Sequence, residues 1–259
     1  MGSVSFYGVY SFQHNILEQD ITEKLESAAE SQLDKLDRMF YERLNGLDIL
    51  SASPVFLAQS SSRKQMNREL EKFLSRYSQY NSVSYYDMNR VKLASVGPSK
   101  LVGKQHARSE YWPAIYAGRD HIVNVSISES LHTPTIHFVD RVIDNHGKSV
   151  GVLVARAQVA ELYGLMDGKK DIDPDAAKYK VAILDQDGTI LYSNHNKEAI
   201  LNAVDEDFGL IKEAIPAVRT VSSLTQIHQE AHSAEKEVLM VFAKEQGYRN
   251  FKGNGWILK

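Results

Sequence analysis

The chain contains no cysteine. This excludes a disulfide framework, a thiolate metal site and a thiol nucleophile, and it suits a bacterial exported domain while leaving the compartment open. No run of about 18 apolar residues occurs, so no segment reads as a membrane span. Neither sign of charge dominates: 30 basic residues stand against 33 acidic ones, for a formal charge of −3. The lysines and arginines are also not clustered as a nucleic-acid face requires, so no nucleic-acid partner is expected. A Gly-x-Ser-x-Gly elbow and a glycine-rich phosphate loop are both missing. The sequence therefore gives no catalytic residues, calls for no cofactor, and does not read as an enzyme.

At 259 residues and 43% apolar content, the chain can bury two modest cores, and ordinary domain sizes favour two units. From Ile16 to Leu50 apolar residues recur at helical spacing, through Ile21, Leu25, Ala28, Leu33, Leu36, Met39, Phe40, Leu44 and Leu47. Neither glycine nor proline interrupts the stretch from Ile16 until Gly46, so the spacing predicts one long amphipathic helix of some 50 Å at about 1.5 Å per residue. Ahead of it, Ser3–Phe12 is apolar and aromatic. That opening suits the stump of a membrane segment or an ordinary N-terminal strand.

Ser51-Ala-Ser-Pro54 ends the helix, because the residue before proline avoids the α region. A second helix is expected over Asn67–Tyr77. A hairpin follows, from Val83–Tyr86 through Asp87-Met-Asn-Arg90 to Val91–Ser95. Glu110–Ala117 reads as a short helix opened by Tyr111 and Trp112. Strands follow over His121–Ile127, Pro134–Ile143 and from Gly151, the last pair joined by Asp144-Asn-His-Gly147. Gln158–Met166 looks helical, and Asp167–Asp175 is a polar linker. A shorter cycle then begins: strands at Tyr179–Leu184 and Thr189–Tyr192, a helix over Asp207–Ile215, strands at Thr220–Ile227 and Glu237–Ala243, and a closing Gly255-Trp-Ile-Leu258. The order of the first unit is repeated without a residue-level repeat.

Two patterns point to metals only weakly. His228 and His232 are four apart, but Gln229 stands where a zinc-protease helix needs glutamate, and the region reads as a loop. Asp185-Gln-Asp-Gly188 is half of a calcium loop without its distal glutamate, and a hairpin turn explains it better. No metal is expected.

The order and spacing of these elements resemble the double Cache sensor domains, the extracytoplasmic input modules of bacterial and archaeal membrane receptors. The resemblance is carried by the long first helix, Glu110-Tyr111-Trp112 with Ala117-Gly118, Val142-Ile143-Asp144 through Gly151-Val152-Leu153, Leu184–Ile190, and Gly247-Tyr248-Arg249 with Gly255-Trp256. It implies an α+β fold: a signalling helix over 1–50, a membrane-distal PAS-like module over 51–168 that binds a small molecule, and a membrane-proximal PAS-like module over 169–259. Each module is built on a central antiparallel sheet. The implied parent is a membrane-anchored receptor, foremost a sensor histidine kinase, with a chemoreceptor or cyclic-dinucleotide synthase next. A homodimer through the first helix is a further implied partner. The alternative is a periplasmic protein-interaction or dimerisation module without a small-molecule ligand, and a third class is a secreted hydrolase.

Carried over residue by residue, the resemblance places Arg108, Tyr111, Trp112, Tyr116, Asn124, Ser126, Ser128, His137, Asp140 and Arg156 at the ligand. Two departures set the expected ligand chemistry. Amino-acid and amine binders of the family carry an arginine two residues before the aromatic pair and an aspartate in the Gly-Val-x-x-x-Asp strand. Here Ser109 takes the first position, with Arg108 displaced by one, and Arg156 takes the second. A guanidinium repels an ammonium group at short range and holds a carboxylate bidentately, so an anionic ligand is mildly favoured over an amine.

Overall fold

The computed structural model of the protein describes residues 3–58, 60–98, 102–106, 111–128, 132–167, 179–210, 212, 220–228 and 235–259. Helix α1 runs from Ser3 to Ser51. Its buried positions, Leu33, Leu36, Phe40, Leu44, Leu47 and Leu50, follow the three-and-four spacing seen in the sequence. The apolar–aromatic opening is helical, not a strand. Close contacts divide the chain into two compact units. One comprises Met1–Leu36, Lys178–Gln246 and Gly255–Lys259, and the other Asp37–Ala177 and Gly247–Asn254. The helix is thus shared, and the segment 247–254 joins the unit of the earlier strands. Asp37, buried in α1, accepts the Gly247 backbone N–H at 2.8 Å. Gly247 has φ +81°, and a Cβ there would meet the Phe251 carbonyl at 2.3 Å, so the turn requires glycine.

In the larger unit, short α2 (Pro54–Leu57) follows α1. Helix α3 (Arg63–Arg76) is opened by a reciprocal Ser62–Gln65 capping box. Five strands form one antiparallel sheet: β1 (Ser82–Tyr86), β2 (Lys92–Val96), β3 (His121–Ile127), β4 (Pro134–Ile143) and β5 (Ser149–Gln158), in the order β2-β1-β5-β4-β3. Helix α4 (Tyr111–Tyr116) precedes β3, and α5 (Ala160–Asp167) follows β5.

Register decides which side chains share a face, because cross-strand partners point the same way. Ser82, Arg156, His137 and Asn124 form one row across β1, β5, β4 and β3, and Ser84, Val154, Val139 and Ile122 form the next. This face packs under α4, where Tyr86, Tyr111, Trp112, Ile115, Ile122, Val139, Val152 and Val154 make one apolar cluster. The opposite face, with Val83, Tyr85, Phe138 and Val123, meets the helices. Phe40 of α1 lies edge-on to Phe138 at 5.9 Å, and Phe56 of α2 lies 4.9 Å from Tyr85. Gly151 admits the Tyr85 ring: a Cβ there would sit 2.3 Å from the phenol oxygen.

The smaller unit builds β6 (Ala182–Leu184), β7 (Ile190–Ser193), β8 (Thr220–His228), β9 (Glu235–Lys244) and β10 (Ile257–Leu258) into the order β7-β6-β10-β9-β8. This is the same strand order as the first sheet. Ala182, Leu184, Phe208, Met240, Phe242 and Ile257 form its core. The helix expected over Asp207–Ile215 is a single 3-10 turn at Phe208–Leu210, and 213–219 lie outside the described residues.

Asp185 caps its turn by accepting the Asp187 and Thr189 N–H groups at 2.9 and 2.8 Å. Asp144 does the same for His146 and Lys148. The supposed half calcium loop is therefore a hairpin turn. His228 closes strand β8, while His232 and most of the expected linker fall outside the described residues. Among the described residues, no helix is long and apolar enough to cross a membrane.

Candidate functional site

The face of the first sheet that lies under α4 carries an unusual set of buried polar groups. Arg156, on the middle strand β5, is 5% exposed. Its guanidinium donates through one terminal nitrogen to the Ser84 hydroxyl at 3.0 Å and through the other to the Tyr86 hydroxyl at 2.8 Å. The bulge between Tyr85 and Tyr86 pairs Tyr86 with Lys92. Lys92 is 1% exposed, and its Nζ lies 5.4 Å from the Tyr86 ring centroid. Two cationic side chains of β2 and β5 thus meet on one phenol, a cation–π contact on one side and a hydrogen bond on the other.

Rings enclose this centre. Tyr86 stands edge-on to His106 at 5.4 Å and to Trp112 at 6.0 Å. Tyr111 lies 5.9 Å from both Trp112 and His137. His137 is buried, with Nδ1 3.2 Å from the Ser126 hydroxyl. Burial, then the Arg156 charge, then that of His106 hold its pKa well below the ordinary histidine value. The imidazole is therefore neutral at physiological pH.

Two hydrogen-bond donors in the same layer, Trp112 Nε1 and Asn124 Nδ2, are buried with no partner among the described residues. Buried donors without partners are costly in a folded chain. An acceptor group entering here would satisfy them.

The structure thus brings together Tyr111, Trp112, Asn124, Ser126, His137 and Arg156 from the set expected at the ligand. Tyr116 is half exposed at the rim, donating to the Met88 carbonyl at 3.2 Å. Ser128 is buried past the end of β3, where its backbone N–H bonds Thr133. Arg108 lies outside the described residues. Asp140 is a correction: it stands on the opposite sheet face, paired across the strands with His121, with Nδ1 to Oδ1 at 2.8 Å. Strand alternation separates it from His137, three residues earlier. Burial raises the Asp140 carboxyl, and Asp140 raises the His121 imidazole.

Sequence reasoning missed Ser84, Tyr86, Lys92 and His106. The lone lysine within the apolar Val91–Ser95 run was the available signal. Which hydroxyls would meet Arg156 depends on register, which no local pattern reveals.

A long helix followed by two sheets of identical strand order, the first with a polar centre beneath a short aromatic helix, is a fold shared with solved ligand-binding domains of bacterial receptors. Solved structures make the assignment concrete. The ligand-binding domain of the Pseudomonas fluorescens chemoreceptor CtaA, in complex with L-isoleucine, is similar at a TM-score of 0.69 and 13% identity, over 95% of this chain and 93% of that one. The ligand-binding domain of the Pseudomonas aeruginosa PAO1 amino acid chemoreceptor PctB, in complex with L-Arg, is similar at 0.69 and 13%, over 93% and 94%. The PctC domain of the same organism, in complex with GABA, is similar at 0.63 and 14%, over 92% and 98%. At these identities the likeness establishes the fold. No protein-family model matches the sequence, and no curated protein matches it.

Proposed function

We propose that this chain is the extracytoplasmic ligand-sensing part of a membrane receptor, and that its first sheet binds a small anionic molecule, foremost a carboxylate, beneath α4. In this reading 51–168 is the membrane-distal module, 169–259 the proximal one, and the shared first helix carries the signal. A histidine kinase or a chemoreceptor is the parent. The observation that carries the ligand class is the Arg156 fork at the centre of the sheet, buried with Lys92 among aromatic rings. A planar guanidinium presents two parallel N–H groups to a carboxylate, and rings beside it wall an apolar body. The unpartnered Trp112 and Asn124 donors add further sites for an acceptor. Similar domains hold L-isoleucine and L-Arg, but a cation at Arg156 repels the ammonium of such ligands. Sensing needs binding and a shift between two states, with no chemistry at the ligand.

The test is a thermal-shift screen across carboxylates, amines, amino acids, sugars and nucleobases. A ligand at about 100 times its Kd adds about 2.7 kcal/mol to stability. Carboxylates should raise Tm in the wild type, and Arg156→Met should weaken their binding about 100-fold, the scale expected for a buried charge-assisted pair. A response confined to amines overturns the ligand class. No response to any compound favours a protein-interaction or dimerisation module instead.

A further inference from the structure

On the sheet face turned away from α4, three side chains from three elements converge: Asp48 near the end of α1, His121 at the start of β3 and Asp140 in β4. One ligating atom of each lies within 4.8 Å of the other two. His121 and Asp140 are cross-strand partners, and Nδ1 approaches Oδ1 to 2.8 Å. The contact is an ion pair when the imidazole is protonated. The other carboxylate oxygen, Asp140 Oδ2, is buried and makes no hydrogen bond of good geometry among the described residues.

Asp140 is only 1% exposed, so its carboxylate has lost water without gaining a full set of donors. Burying a charge in that way is expensive. A buried carboxylate in contact with an imidazole, with a second carboxylate close by, is an arrangement that a shared cation stabilises once it displaces the imidazole proton. It brings positive charge to the point where the lone pairs meet, and it satisfies the buried oxygen.

We propose that Asp48, His121 and Asp140 form a binding site for a divalent first-row transition-metal ion, Zn2+ or Mn2+, with water completing the coordination. The donor set selects this class: imidazole with carboxylates suits zinc, manganese, iron and nickel, whereas calcium and magnesium take all-oxygen sets. Bonds of about 2.1 Å place trans ligands no more than about 4.2 Å apart. Closure therefore needs an inward swing by Asp48, whose side chain is exposed. The bound ion would fasten the end of α1 to the β3–β4 hairpin. That hairpin also carries His137 and Asn124 on its other face, so metal occupancy would stiffen the floor of the proposed ligand site without touching the ligand.

The experiment is calorimetric titration of chelator-treated protein with ZnCl2 and with MnCl2, with Co2+ absorption as a second readout. The wild type should take up one equivalent of metal and gain in Tm. His121→Gln and Asp48→Asn should each weaken binding by more than about 100-fold, beyond what loss of an outer-shell partner costs. Asp48→Asn alters an exposed side chain, so its metal-free Tm should match the wild type and its loss of binding cannot be blamed on misfolding. Absence of uptake overturns the proposal, as does uptake that survives Asp48→Asn or spreads over several equivalents unaffected by either substitution. A carboxylate-induced Tm shift in metal-free protein tests the α4-side site separately, so failure of one leaves the other standing.

Discussion

In the sheet of β1–β5 the middle strand carries Arg156, buried and donating to the hydroxyls of Ser84 and Tyr86. In the sheet of β6–β10 the residue that follows the middle strand is Lys259. Its ammonium donates to Asp205 at 2.9 Å and Asp207 at 2.5 Å, and lies 5.8 Å from the Phe242 ring centroid. Both sheets have the same strand order and set a cation beside their central strand. Hydroxyls satisfy N–H groups without cancelling a charge, whereas carboxylates do both. The difference separates a cation hydrogen-bonded to hydroxyls from one bonded to two carboxylates of its own module.

The largest expected effects test whether each sheet has its own core. Trp112→Ala and Phe242→Ala should each cost about 3–5 kcal/mol, the range for deleting a buried aromatic. Urea midpoints at unchanged slope would read this. Only Trp112→Ala should also abolish the carboxylate response. Equal loss of that response in Phe242→Ala would break the contrast between the modules.

Next in size is a pH dependence. Because the native His137 imidazole is held neutral, the unfolded chain binds a proton below about pH 6.5 that the native chain refuses. Stability is complete above that value and falls as acid approaches the depressed native pKa, by up to about 1.4 kcal/mol per pH unit. His137→Gln should flatten this limb of the curve, and an unchanged slope would place the proton elsewhere.

Lys259→Met should cost about 1 kcal/mol and leave carboxylate affinity intact. Burial alone would lower the Lys259 pKa, but the hydrogen bonds and charges of Asp207 and Asp205 outweigh it and raise the value. Its contribution is thus full below about pH 10.4 and disappears as the pH rises through the native value. The smallest change is Tyr116→Phe at the rim, which should shift stability by no more than about 0.5 kcal/mol. A larger shift would move Tyr116 from the edge of the site into its working part.

Much of this was legible because it is periodic or local. The spacing from Leu33 to Leu50 specifies the core side of α1, and Asp144-Asn-His-Gly147 and Asp185-Gln-Asp-Gly188 specify hairpins through the aspartate's reach to backbone N–H groups. Alternation along β4 also contained the answer for Asp140, since residues 137 and 140 of a strand cannot share a face. What was not legible depends on pairing between distant segments. Ser84 and Tyr86 reach Arg156, and Lys92 reaches the Tyr86 ring, only because β1 sits between β2 and β5 in one particular register, with a bulge at Tyr86. The beginning of α1 allowed two readings, one of them a strand, for another reason: aromatic and β-branched residues after Ser3 favour strands locally, and helix propagation overrides that preference.

The two-residue strand β10 lies between β6 and β9, although it follows both in the chain. While the polypeptide is being made, the β6–β7 and β8–β9 hairpins emerge with bare inner edges and nothing to join them. The keystone arrives after the stones on either side, so the nascent module is most vulnerable to mispairing just before Trp256 leaves the ribosome.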